Sequence, residues 1–213
     1  MALLSGGQAA VEALKAEKTD FVFGLIGSAT MEMFDALYDA QDIKLIGVHD
    51  ERTGTHMADG YARASGKTGV VLAGQNGPGT TNLVTGLAQA KAAYTPLVSI
   101  GGALSFEHLY RDAFQEVDQQ ALFTPITKKT WTATSSERVP EMMREAFRVA
   151  NAPRKGPVQL NLPRNVLSGQ AEFAAMQDPS DYRPVSLQAA PESSINQAAG
   201  LLKNAARPVI MVG

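Results

Sequence analysis

The chain has 213 residues, which allows one full domain or one domain with part of another. It carries 19 basic and 21 acidic residues and no run of Lys or Arg, so its charge pattern argues against a nucleic-acid-binding surface. Cysteine is absent, which excludes disulfides, thiolate catalysis and cysteine-ligated metal sites, while 45% apolar residues suffice for a folded core.

No export or transmembrane segment is evident. The first residues lack the basic and apolar regions of a signal peptide. Residues 68–90 are uncharged and long enough to span a bilayer, yet the amides of Gln75, Asn76 and Asn82 would lack hydrogen bonds in lipid. We therefore interpret this stretch as a strand, a turn and a packed helix, and we expect a cytoplasmic protein that does not bind a membrane.

The predicted elements alternate between helices and short apolar strands. In chain order they are a helix from the N-cap Ser5 to Lys18, a strand over 21–27, a helix over 31–38, a strand over 43–48, a helix over 51–64, a strand over 70–73, a helix over 80–92 and a strand over 97–101. After an aperiodic region over 102–118 come a short helix over 119–123, an extended segment over 126–133, a helix over 137–149 and a strand over 157–163. This alternation predicts the α/β class, with a three-layer αβα arrangement around a mostly parallel central sheet.

The character of the sequence changes after the last of these strands. Residues 168–191 contain three prolines and little periodicity, which is typical of a linker. A helix over 193–203 and a strand over 209–212 follow, too little to bury a core of their own. We therefore expect a first domain over residues 1–167, a linker over 168–191 and the truncated start of a central domain over 192–213, as in a piece of a longer protein.

Ligands of parallel α/β sheets bind at the carboxyl ends of the strands. In this chain those ends are residues 27–28, 49–51, 74–79 and the region from Gly101 onward. The turn over 74–79 is either a close backbone approach to a ligand or only a tight strand-to-helix connection, and it matches neither a dinucleotide motif nor a P-loop. Glu51 is either a carboxylate at the mouth of the sheet or an ordinary acid at a helix N-terminus.

Two further features bear on the chemistry. His49, His56 and His108 show no metal-ligand spacing with a carboxylate pair, so satisfied or exposed histidines are the better interpretation and no metal site is predicted. The aperiodic region over 102–118 is longer than most loops, and loops of that length are often functional.

Taken together, the segments at the strand ends resemble the N-terminal, pyrimidine-binding domain of thiamine diphosphate-dependent enzymes of the acetolactate synthase type. The match runs in order over about residues 5–167. It is carried by Phe-Gly-Leu-Ile-Gly at 23–27, His-Asp-Glu at 49–51 with His-Met-Ala-Asp-Gly-Tyr-Ala-Arg at 56–63, Asn-Gly-Pro-Gly-Thr-Thr-Asn at 76–82, Asp-Ala-Phe-Gln-Glu at 112–116 and Gly-Pro-Val-Gln-Leu-Asn-Leu-Pro at 156–163.

The resemblance implies that Glu51 is the catalytic carboxylate. In this family that carboxylate hydrogen-bonds N1′ of the cofactor's pyrimidine and favours the tautomer whose 4′ nitrogen removes the C2 proton, so the protein supplies orientation and the cofactor the organic chemistry. Phe114 and Gln115 would line the substrate side. The cofactor-binding residues implied by the match are Gly27, Ser28, Glu51, Asn76, Gly77, Pro78, Gly79 and Asn82.

The resemblance also implies a site shared between subunits. The family anchors the diphosphate through Mg²⁺ on a Gly-Asp-Gly…Asn-Asn motif in a C-terminal domain, and this sequence has no such motif. Because the two halves of the site come from different subunits, we expect a homodimer or homotetramer for the full-length protein and no activity from this chain alone. FAD, in members that bind it, sits mainly on the central domain, so the sequence leaves its presence open.

The implied activity is the decarboxylation or carboligation of a 2-oxo acid such as pyruvate, as in acetolactate synthases. Two departures stand out: Gln75 and Asn76 precede the Gly-Pro-Gly where Ser is usual, and Asp50–Thr53 replaces the commoner His-Glu-Gln-Gly. Residues 75–79 and 114–119 look closer to sulfoacetaldehyde acetyltransferases, which are the alternative. The sequence also leaves open a stand-alone subunit that needs a partner chain and an unrelated small-ligand-binding module.

Overall fold

A computed structural model of the protein describes residues 1–183 and 189–211. The chain divides into two compact units, Met1–Tyr182 and Arg183–Gly213. The division falls within the segment that we expect to be a linker, of which residues 184–188 lie outside the described residues. The domain limits given above stay an expectation.

A wholly parallel sheet forms the centre of the first unit. The strands are β1 (Ala2–Ser5), β2 (Phe21–Leu25), β3 (Lys44–Gly47), β4 (Gly69–Ala73), β5 (Leu97–Ala103), β6 (Thr130–Thr132), β7 (Pro157–Pro163) and β8 (Gln170–Phe173). Six of them pair in the order β3-β2-β4-β5-β7-β6, and every pair is parallel. The α/β prediction with a mostly parallel central sheet is confirmed.

Helices cover both faces of this sheet. They are α1 (Gly6–Ala16), α2 (Met31–Asp39), α3 (Glu51–Ser65), α4 (Pro78–Thr81), α5 (Val84–Ala92), α6 (Gln119–Phe123), α7 (Val139–Asn151) and α8 (Arg164–Ser168), with α9 (Glu192–Asn204) in the second unit. Successive strand residues point to opposite faces, so Val70 and Leu72 pack with α1, α2 and α7, while Val71 and Ala73 pack with α3, α5 and α6. The three-layer αβα arrangement is therefore confirmed.

The predicted N-cap of the first helix is confirmed in atomic detail. Ser5 Oγ accepts a hydrogen bond from Gln8 N at 3.1 Å, and Gln8 Oε1 accepts one from Ser5 N at 2.9 Å. This reciprocal pair is a capping box, which satisfies two of the free N–H groups at a helix start. The helix ends at Ala16, two residues before the predicted end, because Lys18 adopts a positive φ of 56°.

A second, two-stranded sheet was not predicted. Strand β8 lies inside the expected linker segment and pairs antiparallel with β1 at the N-terminus. Each of the two strands has four residues, too few for a periodic pattern, and only the folded chain brings them together. The start of the expected linker is therefore ordered as part of the first unit.

Two other expectations differ from the structure. The helix predicted over 80–92 is divided into α4 and α5, and Leu83 N bonds to Thr80 O in place of the fourth residue back. The strand predicted over 209–212 is wrong for residues 209–211, which have no regular structure, and Val212 lies outside the described residues.

Candidate functional site

The order of the sheet reverses between β2 and β4, which makes their carboxyl ends a topological switch point, where open α/β sheets bind ligands. Gly27 and Gly74 follow these strands and lie in direct backbone contact. A Cβ on Gly74 would lie 2.2 Å from Gly27 N and 2.2 Å from Leu25 O, far inside any real contact. Only glycine permits this approach, which positions the turns that follow both strands.

Glu51 is a buried carboxylate at the start of α3. Glu51 is only 4% exposed. The residue before it, Asp50, is the N-cap of α3, and its side chain accepts a hydrogen bond from Arg52 N at 2.8 Å. Asn82 Nδ2 donates to Glu51 Oε2 at 3.0 Å. In the described part of the chain, no hydrogen bond is found to Glu51 Oε1.

The glycine-rich turn brings its last residues against Glu51. Gly77 has a φ of +55°, and Pro78 occupies the first helical position of α4, where its missing N–H costs nothing. A Cβ on Gly79 would lie 3.0 Å from Glu51 Oε1, so the absence of a side chain leaves the carboxylate open on that side. The structure thus gathers Glu51, Gly79 and Asn82 into one cluster.

Gln75, which was not predicted as a site residue, connects two that were, Ser28 and Gln115. Its Oε1 accepts hydrogen bonds from Ser28 N and Ser28 Oγ, both at 3.0 Å. Its Nε2 donates to Gln115 Oε1 at 2.6 Å. Gln75 Cβ also lies 3.0 Å from where a Cβ on Gly79 would be, so Gln75 lies between the Glu51 cluster and the loop that carries Gln115.

Asn76 directs its side chain to the loop that follows β5. Its Nδ2 donates to Gln115 O at 2.9 Å and to Phe114 O at 3.4 Å. The turn packs tightly against this loop, because a Cβ on Gly77 would lie only 2.5 Å from the same Gln115 O. Asn76 was predicted as a cofactor contact, and that role stays a prediction; the contact that the structure adds is to the loop backbone.

The loop over residues 104–118 contains unusual backbone conformations. Tyr110, Asp112 and Gln115 have φ values of 61°, 49° and 63°, a left-handed region that non-glycine residues seldom adopt. Glu116 stabilises the loop from within, since its Oε1 accepts from Tyr110 N at 2.7 Å and its Oε2 from Ala113 N at 3.2 Å. The predicted functional loop is therefore an ordered turn with specific side-chain supports.

A pocket of about 580 Å³ lies between this loop and the strand ends. Of the predicted site residues it is lined by Ser28, Asn76, Phe114 and Gln115, and Phe114 is 82% exposed. The predicted residues thus form two adjacent groups, one around Glu51 and one around this pocket. Sequence reasoning missed the contact of Gln75 and the presence of Arg164 in the pocket. Arg164 directly follows β7, so the strand-end rule could have found it.

A second buried carboxylate lies further along α3. Asp59 is 2% exposed and accepts hydrogen bonds from Arg63 Nε at 3.1 Å and from Gln89 Nε2 at 3.0 Å. Burial by itself raises the pKa of Asp59, but the hydrogen bonds outweigh it and hold that pKa below its ordinary value. Asp59 therefore connects α3, which begins with Glu51, to α5, which begins two residues after Asn82.

Two features are absent from residues 1–183 and 189–211. No group of three His, Asp or Glu side chains there is arranged to hold a metal ion. No helix there is long and apolar enough to cross a membrane.

The chain is similar to several acetolactate synthase large subunits. It is 38% identical over 215 residues to a probable acetolactate synthase large subunit of Methanocaldococcus jannaschii, a match that covers 99% of this chain and 36% of the relative. It is 40% identical over 215 residues to the isozyme 2 large subunit of Escherichia coli K12, covering 99% and 37%, and 36% identical over 212 residues to the large subunit of Corynebacterium glutamicum, covering 99% and 33%. The chain therefore spans about a third of the length of these relatives.

One protein family matches the part of the chain that carries the candidate site. Residues 4–122 match the family described as thiamine pyrophosphate enzyme, N-terminal TPP binding domain. This stretch is more than half of the chain and contains Glu51, the glycine-rich turn and the loop with Gln115. The chain belongs to the thiamine pyrophosphate enzyme family, as an N-terminal TPP-binding domain of the acetolactate synthase type.

Proposed function

We propose that this chain is the pyrimidine-binding part of an enzyme that decarboxylates or carboligates a 2-oxo acid such as pyruvate. The observation that carries the proposal is the buried Glu51 carboxylate, whose Oε1 faces the position where Gly79 lacks a side chain. The names of the relatives support acetolactate formation as the reaction. Since the chain spans about a third of their length, the activity is proposed for the whole protein.

The residues around Glu51 suit a flat ring that contains nitrogen. Oε2 of the carboxylate is already bonded to Asn82, which leaves Oε1 to share a proton with a ring nitrogen. Gly79 leaves room beside that oxygen, and the positive φ of Gly77 shapes the turn that would lie along the ring. These features support Glu51, Gly77, Gly79 and Asn82 as the residues that hold the pyrimidine of thiamine diphosphate.

When bound, thiamine diphosphate would supply a nucleophilic carbon that adds to the substrate carbonyl and accepts the charge released by decarboxylation. Glu51 would hold a proton between Oε1 and the pyrimidine N1′. Asn82 would orient the carboxylate for that contact through its bond to Oε2. Burial of Glu51 would keep water from competing for the same proton.

The other parts of the proposal concern the rest of the protein. The diphosphate with Mg²⁺, and FAD if the enzyme uses it, would bind to parts of the protein other than this chain. A homodimer or homotetramer would bring the two halves of the site together, so the 213-residue chain is proposed to be inactive alone. A cytoplasmic location belongs to the same proposal.

The alternative is a sulfoacetaldehyde acetyltransferase. It is favoured by the 2.6 Å hydrogen bond between Gln75 and Gln115, because it joins the two segments in which the sequence looks closer to those enzymes. Supplying pyruvate, or in a separate reaction sulfoacetaldehyde and phosphate, to the full-length protein with thiamine diphosphate and Mg²⁺ distinguishes the two. Acetolactate supports the first function, and acetyl phosphate with sulfite supports the second.

The role of Glu51 is tested with Glu51→Gln in the full-length protein. Glutamine keeps the shape and can still accept from Asn82 Nδ2 through its oxygen, so we expect the fold to survive. The rate should fall by about 10² or more, the scale of a general acid–base contribution. Glu172→Gln, at an exposed position of β8, is the matched control and should keep full activity. A folded Glu51→Gln protein with an undiminished rate would show that the proposed role is wrong.

A further inference from the structure

The pocket beside the Glu51 cluster has polar groups whose donor and acceptor atoms can be assigned. Its lining includes Ser28, Gln75, Gln115 and Arg164. The assignment begins at a backbone N–H, which can only donate a hydrogen bond. Because Ser28 N lies 3.0 Å from the Gln75 amide, the atom that faces it must be the oxygen, Oε1.

The orientation of Gln75 then determines that of Gln115. With Gln75 Oε1 facing Ser28, the Gln75 amide nitrogen is the atom at 2.6 Å from Gln115. A primary amide nitrogen is a donor, so the Gln115 atom that receives it must be Oε1. The Gln115 amide nitrogen is left as the free end: within residues 1–183 and 189–211, no protein acceptor for Gln115 Nε2 is found.

The backbone of Gln115 is held as firmly as its side chain. Asn76 Nδ2 donates to Gln115 O at 2.9 Å, and the backbone of Gln115 adopts a φ of 63°. Gly77 closes against the same carbonyl, as the 2.5 Å distance from a Cβ placed on it shows. The N–H groups of Gln115 therefore keep one direction instead of rotating freely.

A positive charge lies in the same pocket. Arg164 follows β7 and forms an ion pair with Glu32, whose Oε1 lies 3.8 Å from Arg164 Nε. Because this distance is beyond that of a hydrogen bond, Glu32 balances part of the charge but leaves the N–H groups of Arg164 to another acceptor. Glu107, which also lines the pocket, has a side chain 69% exposed and lies 3.6 Å from His108 Nε2, so solvent screens its charge. Amide N–H groups and a guanidinium together favour an anionic group with oxygen acceptors.

We infer that Gln75 is a positioning residue, which fixes the amide of Gln115 so that the pocket binds the carboxylate or sulfonate of the substrate through Gln115 Nε2 and Arg164. This inference rests on the proposed function, because it assigns the pocket to the substrate of that site. Gln75 acts only through Gln115. Its removal should therefore matter when Gln115 is present and should have no effect when Gln115 is absent.

A double-mutant cycle in the full-length protein tests this coupling. Gln75→Met, Gln115→Met and the double variant remove the polar atoms while keeping the length of the side chains. The dissociation constant of oxamate, a non-reacting analogue of pyruvate, is measured by calorimetry with saturating thiamine diphosphate and Mg²⁺. Titration with 2-hydroxyethanesulfonate is the sulfonate arm, and the neutral oxamide is the control ligand.

We expect Gln115→Met to raise the dissociation constant of the bound anion by about tenfold or more, the scale of a hydrogen bond to a charged group. Gln75→Met should raise it by a smaller factor, and the double variant should have the same dissociation constant as Gln115→Met. Arg164→Gln should raise the dissociation constant of the anion and leave that of oxamide unchanged. Whichever of oxamate and 2-hydroxyethanesulfonate binds more tightly identifies the carboxylate or the sulfonate as the substrate group.

Several results would overturn the inference. One is an equal loss of affinity for oxamate and for oxamide in the variants. Another is an effect of Gln75→Met on anion affinity that is as large in the Gln115→Met background as in the wild type. The third is that neither anion binds to a protein that does bind thiamine diphosphate. Melting temperatures verify that each variant is folded. A different result would separate the two proposals: the protein does not bind thiamine diphosphate but still binds an anion in a way that depends on Gln115. This would refute the proposed function and support the assignment of the pocket as an anion site.

Discussion

Asn76 should control the order of the loop over residues 104–118, independently of any catalysis. Asn76→Ala removes the hydrogen bonds to Gln115 O and Phe114 O, which are 2.9 and 3.4 Å long. Only the first has good geometry, and such a neutral bond contributes about 0.5–1.5 kcal/mol. The left-handed conformation of Gln115, with φ of 63°, costs about 1–2 kcal/mol, and that bond offsets part of this cost.

The two magnitudes are similar, so loss of the bond should release the loop without unfolding the protein. We expect the opening equilibrium of the loop to shift by about 1 kcal/mol, which corresponds to roughly fivefold faster amide hydrogen exchange over residues 109–117. Exchange in β5 and β7 should not change, because their ladder is intact. Mass spectrometry of peptic peptides resolves these segments.

Asn196→Ala, at an exposed position of α9, is the matched control and should leave the exchange of the loop unchanged. Two results would refute the reasoning about Asn76. Unchanged exchange over 109–117 would mean that Glu116 and other contacts hold the loop without Asn76. Acceleration spread evenly over the sheet would mean that Asn76 stabilises the whole first unit.

Three other substitutions test the stability of the first unit. Gly74→Ala should destabilise the first unit by about 3 kcal/mol, the upper end of the usual cost of overpacking, because its Cβ would meet backbone atoms at 2.2 Å. Gly60→Ala, whose Cβ would meet nothing within 4 Å, should instead stabilise α3 by about 0.5–1 kcal/mol. Urea unfolding measures both changes. Asp59→Asn should cost about 1–3 kcal/mol at pH 7. The folded pKa of Asp59 is lowered, so its stabilising contribution is fully present above the unfolded pKa of about 3.9 and is lost as pH falls through the folded pKa. If the free energies of unfolding of wild type and Asp59→Asn already became equal near pH 6, this reasoning would be wrong.

Much of the fold could be predicted because it depends on local patterns. Short apolar runs indicate buried parallel strands, and Ser5 followed by Gln8 indicates a helix start. The pairing of Ala2–Ser5 with Gln170–Phe173 could not be predicted, because neither segment carries a pattern that identifies the other. The division between α4 and α5 could not be predicted either, because the small residues over 80–92 are compatible with one continuous helix.

The candidate site was predictable to a different depth. Its residues could be named from strand ends and from the family resemblance, and the structure brings Glu51, Gly79 and Asn82 together as expected of one site. The sequence motif placed Asn76 within the glycine-rich turn, but it did not indicate that the Asn76 amide would donate to the backbone of Gln115. That contact needs a loop from after β5 to return to the end of β4.

By itself, the sequence determined the α/β class, the six strands of the central sheet, most of the helices and the chemical groups available at the strand ends. Burial and periodicity are properties of neighbouring residues, so they can be read along the chain. Only the tertiary structure decided how the Gln75 and Gln115 amides are oriented, because an amide can present either its oxygen or its nitrogen. Which end faces the pocket depends on the Ser28 N–H, which the parallel pairing of β2 and β4 brings to Gln75 from a distant part of the chain.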